Sequence, residues 1–594
     1  MNLKHLGALL LFITWSGLPA QVAAQIADPF PGFTLVPIVD GAADLHSHQM
    51  SVHGFGGGLI WGSPHETDRS VALKACEGDD HGFPDTLETA ILDAFWFAVG
   101  MEKAVKNDLL AKSRYCKGYD GSGSGYTGFP IWASNVKQAT SYTDLKKAHD
   151  EGNLNLLVMS AVSYQPYCKW LPTKNRRYYS FYTSNRSGMA WPAGISHQKT
   201  LTYTCNEHDN IMAQIEYALD FEDANGEWYD IVTSVAEAED AILEGKLAVV
   251  LHVESTNLFQ NTSGLGTPSD TTIQTKLKFM YEKGVRSVQL THELNNWAAG
   301  VGPQEQTANI ARLTQCMEKK DDGNIFNDCI IIAASSQGDY AVSTDANGKN
   351  TLGITTAGKK LLRSQFASCM IPDFAHISEK AFNDGYNVAR EGTKKFPIFV
   401  SHTPAPQLAQ DYGTANEYQI SDLSLNRVRD TGGILGMRSA PYKMKSQGGV
   451  ANTCHGSSRS FAQLLKYAQN KNVNIGFAFD FNGMASNVAP RFAATGTKWE
   501  TYSRDDGWVC PGGGTADTNP SVNGTGTNFD YIGMGNIGQV GDLTADLAKL
   551  GAVTTGPSAI SDASKNFLSM WRSIEASGNR GTGCKFTWQT TNLP

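Results

Sequence analysis

The sequence predicts an α/β protein, a closed (β/α)8 barrel of the TIM type with long insertions after strands 1, 2 and 8. Short apolar runs alternate with helical segments from about residue 230 onward, which indicates parallel strands joined by crossover helices. Eight such runs can be counted along the chain, and candidate metal ligands follow five of them. An open doubly wound sheet is the alternative. We favour the barrel because only a closed ring brings the ends of strands 1, 3, 5, 6 and 8 to one centre.

The predicted strands are short apolar runs, several of them preceded by a helical segment that ends at a glycine. Gly245 and Gly284 end two of these helices, as a residue that tolerates left-handed backbone should. The strands are expected at 37–45, 154–162, 247–253, 285–290, 370–375, 396–401, 433–437 and 473–479. The helices are expected at 142–151, 234–244, 276–283, 378–390, 421–430 and 460–470.

Three stretches do not follow the strand–helix repeat. Residues 50–135, 163–230 and 484–530 are expected to be long loops on the face of the barrel that carries the candidate ligands, where loops usually determine specificity. The second of them would cap the site, form a contact in a homodimer, or do both. No linker is evident, so residues 26–594 are expected to form a single decorated domain.

The first 25 residues have the pattern of an export signal. Lys4 is followed by an apolar stretch over 6–18 and by small residues over 20–24. The apolar stretch is too short to span a membrane comfortably. We therefore predict a secreted or periplasmic protein whose mature form has no membrane span. The net charge of −9 and the absence of a long basic run argue against nucleic acid as a partner.

The chain has ten cysteines and no CxxC pair. Export makes disulfides plausible, and most of these cysteines are interpreted as structural bridges. Cys316–Cys329 and Cys168–Cys205 are local pairings that short loops would favour, although sequence does not fix connectivity. Cys369 precedes a buried strand and is interpreted as a free apolar side chain.

Histidines and carboxylates stand at the ends of the predicted strands. His46 and His48 share one face of strand 1 and can bind one metal, while Asp44 has the same parity and could orient an imidazole from behind. Glu254 ends strand 3, where a bare buried carboxylate is unfavourable, so it is interpreted as a bridge between two metals. His252 is interpreted as a hydrogen-bonded core residue.

Three further strand ends complete the candidate site. His376 and His402 follow strands 5 and 6, and Asp480 follows strand 8. Each histidine alone would more often be structural, but two on consecutive strands favour metal binding. Asp480 would contact one metal and shuttle a proton to the leaving group. His292 follows strand 4 and would contact the substrate carbonyl or its developing oxyanion, or else be structural.

These residues lie in segments that resemble the membrane dipeptidase (renal dipeptidase) family of the amidohydrolase superfamily. The matching stretches include 244–248, 253–254, 290–296, 352–358, 373–378, 401–402, 422–433 and 479–483, in the expected order. The resemblance implies two metal ions, zinc or another divalent metal. One would be surrounded by His46, His48, Glu254 and Asp480, and the other by Glu254, His376 and His402. His292 would contact the substrate.

Two positions depart from the family pattern. The family usually has an aspartate where this chain has His48. The family also has an arginine after the second lone histidine that binds the substrate carboxylate, whereas residues 403–420 contain neither arginine nor lysine. Recognition of a free dipeptide C-terminus would therefore need another cation, and Arg438 is a candidate substitute.

The leading hypothesis is a secreted two-metal hydrolase that cleaves a dipeptide-like amide bond of a small-molecule substrate with metal-activated hydroxide. The alternative is a hydrolase with the same two-metal site that cleaves a different bond: a lactonase, another esterase or a phosphotriesterase-like enzyme. A third hypothesis is a non-catalytic binding module with structural metals. A structural metal site seldom has a bridging carboxylate and a general base around an open position, and this disfavours the binding-module hypothesis.

Overall fold

Eight parallel strands close into a barrel in the computed structural model of this chain, and a ninth short strand extends its wall. In ring order the strands are those at 42–47, 154–163, 247–255, 285–289, 371–373, 399–403, 434–438 and 474–478, and the last pairs with the first to close the ring. The predicted barrel is therefore confirmed, and the open sheet is excluded. The structure describes residues 39–55, 60, 62–73, 132, 138–164, 206–256, 258–259, 266–302, 343–393, 395–403, 408, 417, 419–441, 444–446, 449–483, 485–492, 510, 514–517, 519–552, 559–578 and 584–593.

All eight predicted strands are present. Most are buried along their whole length, as expected when helices cover the outside of a parallel barrel and side chains fill its inside. The ninth strand, β3, pairs with the first residues of β4 and was not predicted. The strands are β1 Ala42–Ser47, β2 Leu154–Ser163, β3 Tyr229–Ile231, β4 Leu247–Ser255, β5 Val285–Gln289, β6 Ile371–Asp373, β7 Phe399–Thr403, β8 Ile434–Arg438 and β9 Asn474–Ala478.

The helices between the strands begin at side-chain caps. The side chains of Ser141, Asn206, Ser234 and Thr355 each accept a hydrogen bond from a backbone N–H in the first helical turn, which satisfies a donor that the helix leaves unpaired. The described helices of eight residues or more are α1 Tyr142–Asp150, α2 Glu207–Asn225, α3 Val235–Leu243, α4 Asp270–Glu282, α5 Thr356–Ala367, α6 Glu379–Ala389, α7 Asp422–Asp430, α8 Ser458–Lys471, α9 Val540–Lys549 and α10 Ala563–Gly578.

One predicted loop is wrong in part. The stretch 163–230 contains the 19-residue helix α2 and the start of β3. The helix packs one side against β2, and Phe221 and Ile215 are fully buried. Its apolar residues are interspersed with acidic ones, so the helical period is weak in the sequence. Most of 50–135 lies outside the described residues, as do residues 1–25, and the homodimer stays a prediction. In 484–530 the described residues are 485–492, 510, 514–517 and 519–530, and they include the short helix Pro520–Asn523.

The C-terminal helix α10 closes the outside of the barrel. Phe567 and Trp571 are fully buried, and the Trp571 indole donates a hydrogen bond to the Cys369 carbonyl at 3.2 Å. Ser564 donates to the Ala42 carbonyl at 2.9 Å, so the helix also contacts the start of β1. Residues 39–594 group into one compact unit. Among the described residues, no helix is long and apolar enough to cross a membrane.

Two disulfides join distant parts of the chain, and one of them corrects a prediction. Cys369, expected to be free, is bonded to Cys584, which lies 215 residues further along the chain. Cys454 is bonded to Cys510 across 56 residues. The first bridge ties the C-terminal segment to the residue just before β6, a contact that local sequence does not reveal. The cysteines of the two predicted local pairings lie outside the described residues.

We expect removal of the Cys369–Cys584 bridge to destabilise the fold. The double variant Cys369→Ala/Cys584→Ala frees a long loop in the unfolded chain, so about 2–5 kcal/mol of stability should be lost, seen as a lower Tm by a few degrees or more in calorimetry. The Cys454–Cys510 bridge closes a shorter loop, so the double variant Cys454→Ala/Cys510→Ala should have the smaller effect. An unchanged Tm in the first variant would contradict the structural role of this bridge.

Candidate metal centre

Five strand ends deliver the predicted ligands to one place. His46 is in β1 with His48 just beyond it, Glu254 is near the end of β4, and His402 is in β7. His376 and Asp480 lie two or three residues past β6 and β9. Because the strands are parallel and the barrel is closed, all of these positions are at its carboxyl end. The structure thus brings together all six of the predicted metal ligands.

Glu254 lies at the centre of this cluster and faces two groups of imidazoles. Its Oε2 is 3.3 Å from His46 Nε2 and 3.4 Å from His48 Nε2. Its Oε1 is 3.6 Å from His376 Nε2 and 3.8 Å from His402 Nε2. The side chain is only 2% exposed. One carboxylate oxygen therefore faces each of the two predicted ligand groups, which is the arrangement expected of a bridging carboxylate.

Asp480 completes the group around His46 and His48. Its Oδ1 is 3.1 Å from His48 Nε2 and 3.8 Å from His46 Nε2, while its Oδ2 is 3.3 Å from Arg438 Nη2. Burial would raise the pKa of Asp480, but the charge of Arg438 and the hydrogen bond with His48 outweigh it and hold this pKa below its usual range. The carboxylate is therefore ionised at neutral pH.

His292 also lies close to Glu254. Its Nε2 is 3.6 Å from Glu254 Oε1 and 3.6 Å from Glu293 Oε1, and its side chain is 13% exposed. Ligand atoms of Glu254, His292 and His376 lie within 4.8 Å of one another, as do those of His46, Glu254 and His402 and those of His46, His48 and Asp480. His292 thus stands at the solvent side of the cluster, where it can reach a bound molecule or a metal.

Most of the imidazoles are neutral, which is the form that binds metals. Burial, together with neighbouring imidazoles, lowers the pKa of His46 and of His402 well below the ordinary value. Burial lowers the pKa of His376 and of His292 to about 4. At His48 burial also lowers the pKa, but the hydrogen bond with Asp480 and the charge of Glu254 outweigh it and raise the pKa.

The residues present fit divalent metal ions. In the described part of the chain, both ring nitrogens of His46 and the Oε1 atom of Glu254 are buried without a hydrogen-bond partner. Buried polar atoms are normally paired, so these atoms point to a partner of another kind. His376 Nε2 and His402 Nε2 face each other at 2.6 Å. Imidazole and carboxylate donors of this sort suit zinc and similar ions.

Backbone in the left-handed region surrounds the cluster. His376 has a φ of 60°, Asp480 of 53°, Glu293 of 63° and Asn482 of 63°. Such a conformation is unfavourable for residues with a side chain and persists where the surrounding structure enforces it, often at functional sites. Here it turns the chain just after β6 and β9 and directs the side chains of His376 and Asp480 back toward Glu254.

Asp44 has a different role from the one predicted. It contacts no imidazole among the hydrogen bonds of the described residues. It accepts a hydrogen bond from the Ser47 hydroxyl, and its Oδ1 accepts the backbone N–H groups of His46 and Phe479, both at 3.2 Å. Burial raises the pKa of Asp44 to about 7. Asp44 therefore joins the ends of β1 and β9, the two segments that carry His46 and Asp480.

Arg438 pairs with Asp480 through its guanidinium. Its suggested role, as a substitute for the arginine that binds a substrate carboxylate, stays a prediction. His252 is the hydrogen-bonded core residue that was predicted, since Ser160 Oγ lies 2.7 Å from its Nδ1 and Asp373 Oδ2 lies 3.1 Å from its Nε2. Asp373 and Ser401 were missed: the Ser401 hydroxyl lies between the Asp373 carboxylate and His402 Nδ1. Asp373 could have been noticed as a charged residue in an apolar strand.

A closed (β/α)8 barrel with imidazoles and carboxylates gathered at its carboxyl end defines a class, the metal-dependent hydrolases. Within that class, residues 328–493 match the model of the family described as membrane dipeptidase (Peptidase family M19). The match confirms the resemblance seen in the sequence, and the chain is an enzyme, a hydrolase resembling membrane dipeptidase. His376, His402 and Asp480 lie inside the matched segment, whereas His46, His48 and Glu254 precede it.

Several solved structures are distantly similar. The probable dipeptidase PvdM from Pseudomonas aeruginosa is 15% identical, with 73% of this chain and 88% of that chain covered and a TM-score of 0.40. A dipeptidase of family M19 is 11% identical over 79% and 96% of the two chains, with a TM-score of 0.41. A metallopeptidase from Rhodobacter sphaeroides, liganded with a phosphinate mimic of the dipeptide L-Ala-D-Ala, is 12% identical over 80% and 97%, with a TM-score of 0.40.

We expect Glu254→Gln to impair metal binding. The amide keeps the size of the side chain but removes the negative charge that faces both groups of imidazoles, so bound metal should fall from two equivalents to one or none in elemental analysis of dialysed protein. Glu207→Gln is a matched control, because Glu207 is buried and accepts a hydrogen bond from Ser255 next to Glu254. Two equivalents in the Glu254 variant would contradict the bridging role.

Proposed function

We propose that this chain is a secreted or periplasmic hydrolase that cleaves the amide bond of a dipeptide-like small molecule with two divalent metal ions, zinc in the first instance. The observation that carries the proposal is the position of Glu254 in a buried site. Its Oε2 faces His46 and His48, and its Oε1 faces His376 and His402, with His292 also near Oε1. His46, His48, Glu254 and Asp480 are the proposed ligands of one ion, and Glu254, His376 and His402 those of the other.

The metals would supply Lewis acidity, which polarises a carbonyl group and lowers the pKa of water. The chain itself provides the proton transfer. Asp480 is ionised and can take a proton from the attacking water as its oxygen adds to the carbonyl carbon. When the C–N bond breaks, Asp480 returns this proton to the leaving amine. Arg438 keeps Asp480 ionised and oriented through its contact with Oδ2.

His292 is the proposed substrate contact. Its pKa is lowered to about 4, chiefly by burial, so the ring is neutral at working pH and can donate one hydrogen bond without carrying a charge. From its partly exposed position beside Glu254 it can reach the carbonyl oxygen of a bound amide. A hydrogen bond there becomes stronger as negative charge develops on that oxygen, which lowers the barrier.

The location follows from two features of the chain. Residues 1–25 have the pattern of an export signal, and the disulfides Cys369–Cys584 and Cys454–Cys510 form and persist in oxidising compartments. Both favour secretion or a periplasmic location. N-terminal sequencing of the protein from culture medium or periplasm should find a start near residue 26, and a chain retained inside the cell with residues 1–25 intact would contradict this.

The substrate class can be tested directly. Purified protein with its metals should hydrolyse dipeptides faster than lactones or aryl phosphotriesters, measured as kcat/KM for each class. Preference for lactones or phosphotriesters would favour the alternative hydrolase, which the lack of arginine and lysine in 403–420 keeps open. Dipeptides with a free and with an amidated C-terminus should be compared, because the proposal includes no cation dedicated to a substrate carboxylate.

We expect Asp480→Asn to lose most of its turnover. The amide cannot accept and return the proton, so kcat should fall by about 100-fold or more. Bound metal should remain, because the other ligands of the site are unchanged. Asp422→Asn, a change at a partly exposed carboxylate on α7, serves as the control and should retain wild-type kcat. Wild-type kcat in the Asp480 variant would rule out its role as proton shuttle.

A further inference from the structure

A chain of hydrogen bonds lies in the barrel interior, below the metal centre. His402 Nδ1 is 2.9 Å from Ser401 Oγ, and Ser401 Oγ is 2.6 Å from Asp373 Oδ2. Asp373 Oδ2 is also 3.1 Å from His252 Nε2, whose Nδ1 is 2.7 Å from Ser160 Oγ. All of these side chains except His402 are fully buried, and His402 is 3% exposed. The chain crosses four strands, β2, β4, β6 and β7.

Asp373 is the acceptor on which this chain converges. Its Oδ1 accepts the backbone N–H groups of Ala375 at 3.0 Å and of Ser401 at 2.8 Å, and its Oδ2 faces the Ser401 hydroxyl and His252. Burial would raise the pKa of Asp373, but the hydrogen bonds from His252 and Ser401 outweigh it and lower the pKa. Because four donors surround its carboxylate, Asp373 acts only as a hydrogen-bond acceptor.

The direction of the remaining bonds follows from this. A serine hydroxyl has one hydrogen, and Ser401 directs it at the Asp373 carboxylate. Ser401 can then only accept from His402, so the proton of the neutral His402 ring is on Nδ1. The lone pair of this ring is consequently on Nε2, the atom that faces Glu254 Oε1 at 3.8 Å and His376 Nε2 at 2.6 Å.

The backbone carbonyl of Ser160 fixes the same tautomer at His48. Its Nδ1 lies 3.0 Å from the carbonyl oxygen of Ser160, which can only accept, so Nδ1 carries a proton there as well. The Ser160 hydroxyl contacts His252, which Asp373 holds from the other side. One ligand imidazole in each predicted metal group is therefore oriented through Nδ1, His402 by the Ser401 hydroxyl of the network and His48 by a backbone carbonyl.

We infer that Asp373, acting through Ser401, is a positioning residue that fixes the tautomer and the ring orientation of His402 for metal binding. The inference rests on the proposed two-metal function. It assigns a function to a buried charge that the proposed reaction leaves unused. A carboxylate behind a ligating histidine commonly changes metal affinity by about 10–100-fold, and here a serine relays the effect.

The test measures metal affinity in variants of the full-length protein. Ser401→Ala removes the relay and leaves the His252–Asp373 contact in place, so one of two metal equivalents should bind about 10–100-fold more weakly in a chelator competition with Zn²⁺. The visible spectrum of the Co²⁺-loaded protein should change for that equivalent only. Ser401→Thr keeps the hydroxyl and should restore affinity. Asp373→Asn should weaken the same equivalent at least as much.

Ser287→Ala is the matched control. Ser287 is a fully buried serine in β5 whose hydroxyl donates to the Ile371 carbonyl at 2.7 Å. It lies beside His252 in the sheet, but among the hydrogen bonds of the described residues its hydroxyl is not joined to the network. The Ser287→Ala variant should bind both equivalents of metal with the affinity of the wild type. A purely structural effect of Ser401 would appear as a lower Tm with unchanged affinities, which calorimetry of each variant detects.

A double-mutant cycle separates the role of the relay from a general loss of stability. If Ser401 acts through His402, Ser401→Ala should weaken metal binding no further in a His402→Ala background. Wild-type affinity for both equivalents in Ser401→Ala, or additive losses in the cycle, would overturn the inference. A wild-type protein that binds no metal would instead overturn the proposed function, so the two failures are distinguishable.

Discussion

The structure of this site depends on one buried carboxylate. Glu254 is 2% exposed and lies within 3.8 Å of the ring nitrogens of five histidines, most of them with pKa values lowered by burial. Neutral imidazoles compensate a buried negative charge poorly, and an uncompensated charge is strongly unfavourable in a protein interior. Cations between Glu254 and the imidazoles would resolve this, and they would also satisfy the ring nitrogens of His46 that lack a partner.

The barrel makes this arrangement possible because it imposes a common direction and a common centre. Parallel strands place their carboxyl ends at one face, and the pairings of β2 with both β1 and β4 and of β9 with β1 complete the ring. Left-handed backbone at His376 and Asp480 then turns two side chains inward just after their strands end. The strain is tolerated because Asp44 and Asp373 bind the neighbouring backbone N–H groups.

Much of the fold was predictable because the strands of a parallel barrel are continuous apolar runs. The candidate metal ligands stand at or just past the ends of these runs. All eight barrel strands and the convergence of the six candidate ligands follow from that pattern. Helix α2 was missed because acidic residues interrupt its apolar period, and the Cys369–Cys584 bridge because its partners are far apart in sequence. The role of Asp44 was misjudged and the pairing of Arg438 with Asp480 was missed, since the sequence of one strand does not reveal which residues of its neighbours lie opposite.

The sequence by itself determined the class of fold, the residue types at the strand ends and their order along the chain, because each of these is a local property of a strand and its flanking residues. Only the tertiary structure decided which atoms face one another. It gave the two oxygens of Glu254 separate partners, paired Arg438 with Asp480, and placed Asp373 behind His402. These contacts join residues from different strands, and their geometry depends on the closure and register of the whole ring.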